Sequence, residues 1–225
     1  MWTKACIFDL DGVIVDTAKY HYQAWRRLTD DLGIIFTEED NERLKGVSRM
    51  ASLDIILEIG GMKLPVSEKK ILADLKNKWY VERIAGMTPE EILPGTLEFI
   101  NELKRNDVKI ALGSASRNTP MILERVGIKN VFDAVADGNT VQKAKPDPEV
   151  FLKAAELLDV KTARCAVFED ALAGVEAALN AGMICIGIGD KKILKGAHMV
   201  VRGLNEMDLN KLIILEKKLG YEHLI

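Results

Sequence analysis

What the chain lacks narrows its chemistry before any motif is read. It has three cysteines and no CxxC pair, so metal ligation by thiolates is not expected. Cys6, Cys165 and Cys185 all fall in short apolar runs, which points to reduced, buried thiols and a cytoplasmic location. No apolar run approaches the ~20 residues that a membrane-spanning helix needs. The first residues read as a strand with one lysine, not as a signal peptide. Positive charge is not in excess: 31 Lys and Arg stand against 34 Asp and Glu, a net charge of −3. That balance argues against nucleic acid as the main partner. Internal repeats and low-complexity segments are absent, and nothing suggests an obligate interface, so a monomer is expected.

The 225 residues, 48% hydrophobic and 29% charged, suit one large domain or a domain carrying a smaller insert. Apolar runs at residues 5–8, 109–113, 134–136, 165–168, 183–187 and 199–201 read as strands. From residue 96 onward, helices are expected between them, at 96–105, 119–126, 147–158, 171–181 and 207–219. Strands alternating with helices imply right-handed βαβ units and a mostly parallel sheet. Residues 17–85 differ, with helical periodicity and no convincing strand. Thr17 is placed to cap a helix running to about Leu32, in which Tyr20, His21, Ala24, Trp25 and Leu28 recur mostly at three- and four-residue spacing. Thr37-Glu38-Glu39-Asp40 has the spacing of a capping box. Residues 52–59 and 67–84 continue as helices, the latter with Ile71, Leu72, Leu75, Trp79 and Val81 as its apolar positions. Thr88-Pro89 opens a short one. The fold class is therefore α/β. A Rossmann-like parallel-sheet core flanked by helices, residues 1–16 and 88–225, is interrupted after its first strand by an all-helical cap, residues 17–87.

Ligands of an open parallel sheet bind outside the carboxyl ends of its strands. The first strand here runs into Asp9-Leu10-Asp11-Gly12. Paired carboxylates at the end of a buried strand are expensive without a cation, and Gly12 lets the backbone turn at once. Ser114-Ala115-Ser116-Arg117-Asn118 follows the second strand, Lys145-Pro146 precedes a later helix, and Glu169-Asp170 follows residues 165–168. Each has an ordinary reading when taken singly: an acidic turn, a strand-to-helix turn, a solvated lysine, acids serving a helix dipole. Their joint occurrence at successive strand ends suits phosphoryl transfer. Hard oxygen ligands favour Mg²⁺ over zinc, and the ion would neutralise and hold a phosphate. Ser114 and nearby N–H groups suit phosphate oxygens, and Lys145 adds a compact charge. One carboxylate can then attack phosphorus while a second moves a proton.

Phe8-Asp9-Leu10-Asp11-Gly12-Val13, Ser114, Lys145-Pro146 and Glu169-Asp170 resemble the four motifs of the haloacid dehalogenase superfamily of phosphotransferases. The match covers nearly the whole chain. Asp16-Thr17-Ala18, Tyr20-His21, Trp25, residues 44–49, Lys76-Asn77 and residues 114–118 are similar to the β-phosphoglucomutase-like branch. The resemblance implies that Asp9 is the nucleophile and Asp11 the general acid/base. Asp9, the backbone carbonyl of Asp11, Glu169 and Asp170 would hold Mg²⁺. Ser114, Ala115 and Lys145 would hold the transferring phosphate, and Arg49, Ser116, Arg117 and Asn118 the substrate's other phosphate. Thr17, His21 and Lys76 would position Asp11, while Trp25, Gly46, Val47, Ser48 and Ser52 would border the sugar. One departure is visible: Arg117 stands where lysine is expected, keeping the charge and adding a bidentate fork.

The branch implies conversion of β-D-glucose 1-phosphate to glucose 6-phosphate through β-glucose 1,6-bisphosphate, which also primes Asp9. A cap that closes only on a substrate with a distal phosphate would keep water from the phosphoenzyme. Two alternatives stay open on sequence: a sugar-phosphate or phosphoglycolate phosphatase with the same core motifs, and a non-catalytic binding protein on this fold. His21 and Trp25, four residues apart on one helix face, also suit plain packing, and Arg49 a solvated surface.

Overall fold

The computed structural model describes residues 1–221. Its first strand, β1 (Ala5–Phe8), is four fully buried residues. Four helices leave the sheet after it: α1 (Ala18–Leu32), α2 (Glu38–Glu42), α3 (Arg49–Ile59) and α4 (Val66–Ile84). The chain returns through α5 (Thr96–Arg105), β2 (Lys109–Gly113), α6 (Thr119–Arg125) and β3 (Ala134–Ala136). It continues with α7 (Glu149–Leu158), β4 (Cys165–Glu169), α8 (Leu172–Asn180), β5 (Ile184–Ile188), β6 (Met199–Val201) and α9 (Leu209–Lys218).

Among the described residues six strands form one sheet, in the order β3-β2-β1-β4-β5-β6, with every pair parallel. The chain winds outward from β1 to β3, crosses back, and winds outward from β4 to β6. The order therefore reverses between β1 and β4, where a doubly wound sheet opens its ligand crevice. Phe8 is in register with Leu112 on one side and Phe168 on the other, so the segments that follow emerge side by side.

Alternation along β1 feeds two layers. Ile7 packs with Val167, Phe151 of α7 and Val175 of α8. Phe8 joins the opposite layer, stacked on Phe168 at 4.7 Å and edge-on to Phe99 at 6.2 Å. Such aromatic pairs add about 0.5–1.5 kcal/mol each beyond burial. No helix among the described residues is long and apolar enough to cross a membrane.

The parallel sheet with an inserted helical cap agrees with the sequence reading, and the differences are local. Thr17 precedes α1 but makes no capping bond, because its hydroxyl is used elsewhere. Ser48 caps α3 by accepting from the Ala51 N–H, so the helix begins at Arg49, three residues before the expected start. Residues 88–94 hold one 3₁₀ turn, Pro89–Glu91. Along α4 the inward face is Ala73, Lys76, Trp79, Tyr80 and Ile84, while Ile71 and Leu75 are exposed. The apolar positions read from sequence are thus partly the outer face, because the residues that meet α1 include a charged one. The two connections to the helices are tied together at their base. The Asp16 N–H donates to the Glu91 carbonyl at 3.1 Å and the Leu93 N–H to the Ile14 carbonyl at 3.0 Å. Lys19 Nζ and the Tyr20 hydroxyl both donate to the Glu91 carboxylate at 2.6 Å.

Glu216, buried on α9, pins the approach to β1 by accepting from the backbone N–H groups of Trp2 at 2.9 Å and Thr3 at 2.8 Å. Glu216→Ala is expected to lower the unfolding free energy by about 3 kcal/mol, since those donors lose a charged acceptor. A fall in the urea midpoint at unchanged m value measures it.

Candidate active site

Asp9 follows β1 directly, and its N–H still donates to the Phe168 carbonyl at 2.9 Å. Residues 10–15 then fold back on themselves, with the Ile14 and Val15 N–H groups donating to the Leu10 carbonyl. Gly12 turns at φ +83°, and a Cβ there would overlap the Asp170 carboxylate. The Asp9 carboxylate is held at both oxygens. The Asp11 N–H donates to Oδ2 at 3.0 Å and Lys145 Nζ to Oδ1 at 2.5 Å. Lys145 also donates to Glu169 Oε2 at 2.8 Å and lies 4.8 Å over the Phe151 ring. The other Glu169 oxygen accepts the Ala171 N–H at 3.1 Å, and Gly174 leaves the space that this carboxylate fills.

One oxygen each of Asp9, Glu169 and Asp170 lie within 4.8 Å of one another. Burial and then the Asp9 charge push Glu169 up to about 7, against the pull of Lys145. Burial, Glu169 and Asp9 push Asp170 well above the carboxylate range. Burial works against the Lys145 charge, but Asp9 and Glu169 outweigh it and raise its pKa. Lys45 of the cap stands 4.0 Å from Asp170. With Asp11, four carboxylates still face two lysines. This all-oxygen, net-negative donor set fits a hard divalent cation such as Mg²⁺ and does not fit zinc.

Residues 114–118 form the turn into α6. Ser114 Oγ accepts the Ser116 N–H at 3.1 Å, and Ser116 Oγ accepts the Asn118 N–H at 3.2 Å. Ala115, Ser116, Arg117 and Asn118 line a cavity of about 560 Å³ together with Asp9, Asp11 and Asp170. Ser114, Lys145 and Glu169 lie buried beneath its floor, and Thr17 is buried beside it.

The helices roof the same cavity with His21, Trp25, Ser52 and Lys76 and with the loop Gly46, Val47, Ser48 and Arg49. Asn118 Nδ2 donates to Asn77 Oδ1 at 3.1 Å across the roof and floor. Arg49 is 3.6 Å from Asp74, and burial with the like charge of Arg117 lowers its pKa. The Thr17 hydroxyl donates to Asp11 Oδ1. Burial and the Asp9 charge push Asp11 up to about 6, against the Thr17 bond and Lys145. Lys76 Nζ lies 2.8 Å from His21 Nδ1 and 4.4 Å over the Trp25 ring. Burial, Lys76 and Arg49 push His21 well down, which favours the neutral ring, and a neutral ring can share a hydrogen bond with Lys76 at Nδ1. Burial and Arg49 lower Lys76 to about 7. Every residue singled out in the sequence thus lies in or directly against one cavity. Sequence reasoning gave no role to Lys45 or Asp74, which also line the cavity.

The haloacid dehalogenase-like hydrolase family matches residues 3–182, most of the chain, and the chain belongs to that family. Its sequence is 46% identical to the β-phosphoglucomutase of Bacillus subtilis over 93% of both chains. Its backbone is similar to the crystal structure of a β-phosphoglucomutase from Clostridium difficile, with a TM-score of 0.91 and 42% identity over 96% of this chain and 98% of that one. A phosphorylated carbohydrates phosphatase of Thermotoga maritima is 31% identical over 93% of this chain and 98% of that protein. The chain is an enzyme of this family, and the two mutase matches fall in the branch that its cap residues resemble. A non-catalytic role on this fold is thereby set aside.

Lys76 makes stability depend on pH. Its folded pKa of about 7 lies below the unfolded value of about 10.4. The unfolded chain therefore binds more protons between those limits, and stability rises with pH across that window. Below about 7 both states are protonated and the burial penalty is fully present. Wild type is expected to gain stability from pH 7 to pH 10 relative to Lys76→Met, as measured by urea midpoints at each pH.

Proposed function

We propose that the chain is a β-phosphoglucomutase, interconverting β-D-glucose 1-phosphate and glucose 6-phosphate through phosphorylated Asp9 and β-glucose 1,6-bisphosphate. The observation that supports this most is a second cationic pole in the cavity. Asp9 and Lys145 provide for the phosphoryl group being transferred. Arg49 from the cap and Arg117 from the core face the same cavity and suit a phosphate that is not being transferred. A bisphosphate can present either end to Asp9 while the other end stays anchored.

An Asp9 oxygen attacks phosphorus, the P–O bond to the sugar breaks, and protonated Asp11 gives its proton to the leaving sugar oxygen. In the second half Asp11 takes the proton from the other hydroxyl of the monophosphate. That oxygen attacks the phosphoryl group, and the bond to Asp9 breaks. An acid poised near 6 serves both directions at neutral pH. Asp9, the Asp11 carbonyl, Glu169 and Asp170 would hold Mg²⁺, which when bound neutralises phosphate oxygens. Ser114, Ala115 and Lys145 hold the transferring group, while Ser116 and Asn118 join the two arginines at the other phosphate. Trp25, Gly46, Val47, Ser48 and Ser52 border the sugar and exclude water, and Thr17, His21 and Lys76 set the direction of Asp11. The second reading is a sugar-phosphate phosphatase, favoured by the Thermotoga relative.

A coupled assay with α- and β-glucose 1-phosphate, with Mg²⁺ and the bisphosphate each supplied or withheld, separates the two. Turnover is expected for the β anomer alone, dependent on both additions and abolished in Asp9→Asn. Inorganic phosphate accumulating from glucose 6-phosphate faster than isomerisation would exclude the mutase. Arg49→Ala is expected to lower kcat/KM roughly 30-fold or more, as one partner of a desolvated charge contact is lost.

A further inference from the structure

The turn after β3 has no part in the mechanism, yet it interlocks with the turn that carries Arg117. The Ser114 N–H donates to the Ala136 carbonyl at 3.0 Å, which sets the ends of β2 and β3 side by side. Beyond them the Gly138 N–H donates to the Ser116 carbonyl at 3.3 Å, Arg117 Nε to the Gly138 carbonyl at 3.1 Å, and Asn139 Nδ2 to the Arg117 carbonyl at 3.0 Å. A Cβ on Gly138 would lie 2.6 Å from the Ala115 carbonyl oxygen and 3.0 Å from Arg117 Cγ, so this approach needs a residue without one. Buried Asp137 fixes the turn from behind. Its carboxylate accepts the Asn139 N–H at 2.9 Å and Asn139 Nδ2 at 3.2 Å. Its own N–H donates to the Thr140 hydroxyl at 2.8 Å, and that hydroxyl donates back to the Asp137 carbonyl at 2.9 Å.

Arg117 is exposed, and a free arginine side chain there would lose rotamer freedom on binding an anion. Docking its Nε on Gly138 meets part of that cost before the anion arrives. The donors on the terminal guanidinium nitrogens stay available for phosphate oxygens. A lysine ammonium has a single charged atom, so a contact with Gly138 would be made at the expense of its reach to the phosphate. Arg117 and Gly138 both line the cavity. We propose that Gly138 and Asn139 are positioning residues for Arg117: they hold its fork at the cavity wall for the substrate phosphate that is not being transferred. This rests on the reading of Arg117 as a ligand of that phosphate. Such a phosphate is held alike in the ground state and the transition state, so the turn acts on KM rather than on kcat.

Asn139→Ala, Arg117→Lys and the double variant of the full chain test this with β-glucose 1-phosphate, Mg²⁺ and the bisphosphate, with Arg117→Ala as the reference. Asn139 is exposed, so its alanine variant is expected to fold. Asn139→Ala is expected to raise KM about fivefold with kcat changed less than about twofold. Arg117→Lys is expected to raise KM about tenfold although the charge is kept. In that background Asn139→Ala is expected to change KM no further, since the fork that it holds is gone. Wild-type KM in Asn139→Ala or in Arg117→Lys, a fall in kcat at unchanged KM, or the same fold-change in both backgrounds would each overturn the proposal. Wild-type KM in Arg117→Ala overturns the reading of Arg117 as a phosphate ligand. A raised KM in Arg117→Ala with wild-type KM in Asn139→Ala overturns the positioning role alone. A wild type that does not isomerise the sugar phosphate in the same assay overturns the function proposed for the chain and the positioning role with it.

Discussion

A single buried lysine holds the catalytic edge of the sheet together. Carboxylates taken out of water need a paired charge. Lys145 meets that need by donating to Asp9 and Glu169 at once, from a segment 136 residues away from the first of them. The two acids come out side by side because β1 and β4 are neighbours in register. Phe151 of α7 underlies the lysine, and Gly174 of α8 makes room for the glutamate. One ion pair thus draws on three separate stretches of chain and on both helices of the same layer. It still leaves an excess of negative charge at the mouth of the site. That excess gives the edge its chemistry: a hard cation offsets the carboxylates that the lysine leaves unpaired, and a cation so held can in turn bind a phosphate.

The floor and the roof of the cavity divide the work. The floor is made of strand ends and short turns, and it carries Asp9, Asp11 and Asp170. The roof carries groups whose ionisation burial has altered: a lysine lowered to about 7, a neutral histidine and an arginine beside another arginine. Asp11 belongs to the floor by chain position and answers to the roof through Thr17. The orientation of the Asp11 carboxyl is thus tied to the segment that leads into the helices, whereas the Asp9 carboxylate is tied to Lys145 of the core.

Much of this was legible in the chain. Short apolar runs between turn residues marked β1, β2, β3 and β6 at their observed limits. The chemistry of strand ends picked out Asp9, Lys145 and Glu169 before any resemblance was invoked. Register, and hence the adjacency of Asp9 and Glu169, is a pairing between distant segments that no local pattern reports. The face of α4 was misread for a physical reason. Apolar residues lie on both sides of that helix, and the inward side carries Lys76, against the rule that charges face water. Thr17 looked like a helix cap because its position permits it, and only the folded chain shows the hydroxyl turned to Asp11. Roles for His21 and Lys76 came from family resemblance alone.

The stem at residues 14–16 and 91–93 has a consequence for how such molecules diversify. Its two segments are hydrogen-bonded neighbours, clasped by Glu91 with Lys19 and Tyr20. From the sheet's side, everything beyond them is one loop closed at its neck, and extra length in a closed loop adds little entropic cost. Helices above the clasp can be lengthened, rebuilt or exchanged without shifting the register of β1 against β4. The strand-end carboxylates and the helices that roof them therefore sit on opposite sides of this neck and are free to evolve at different rates.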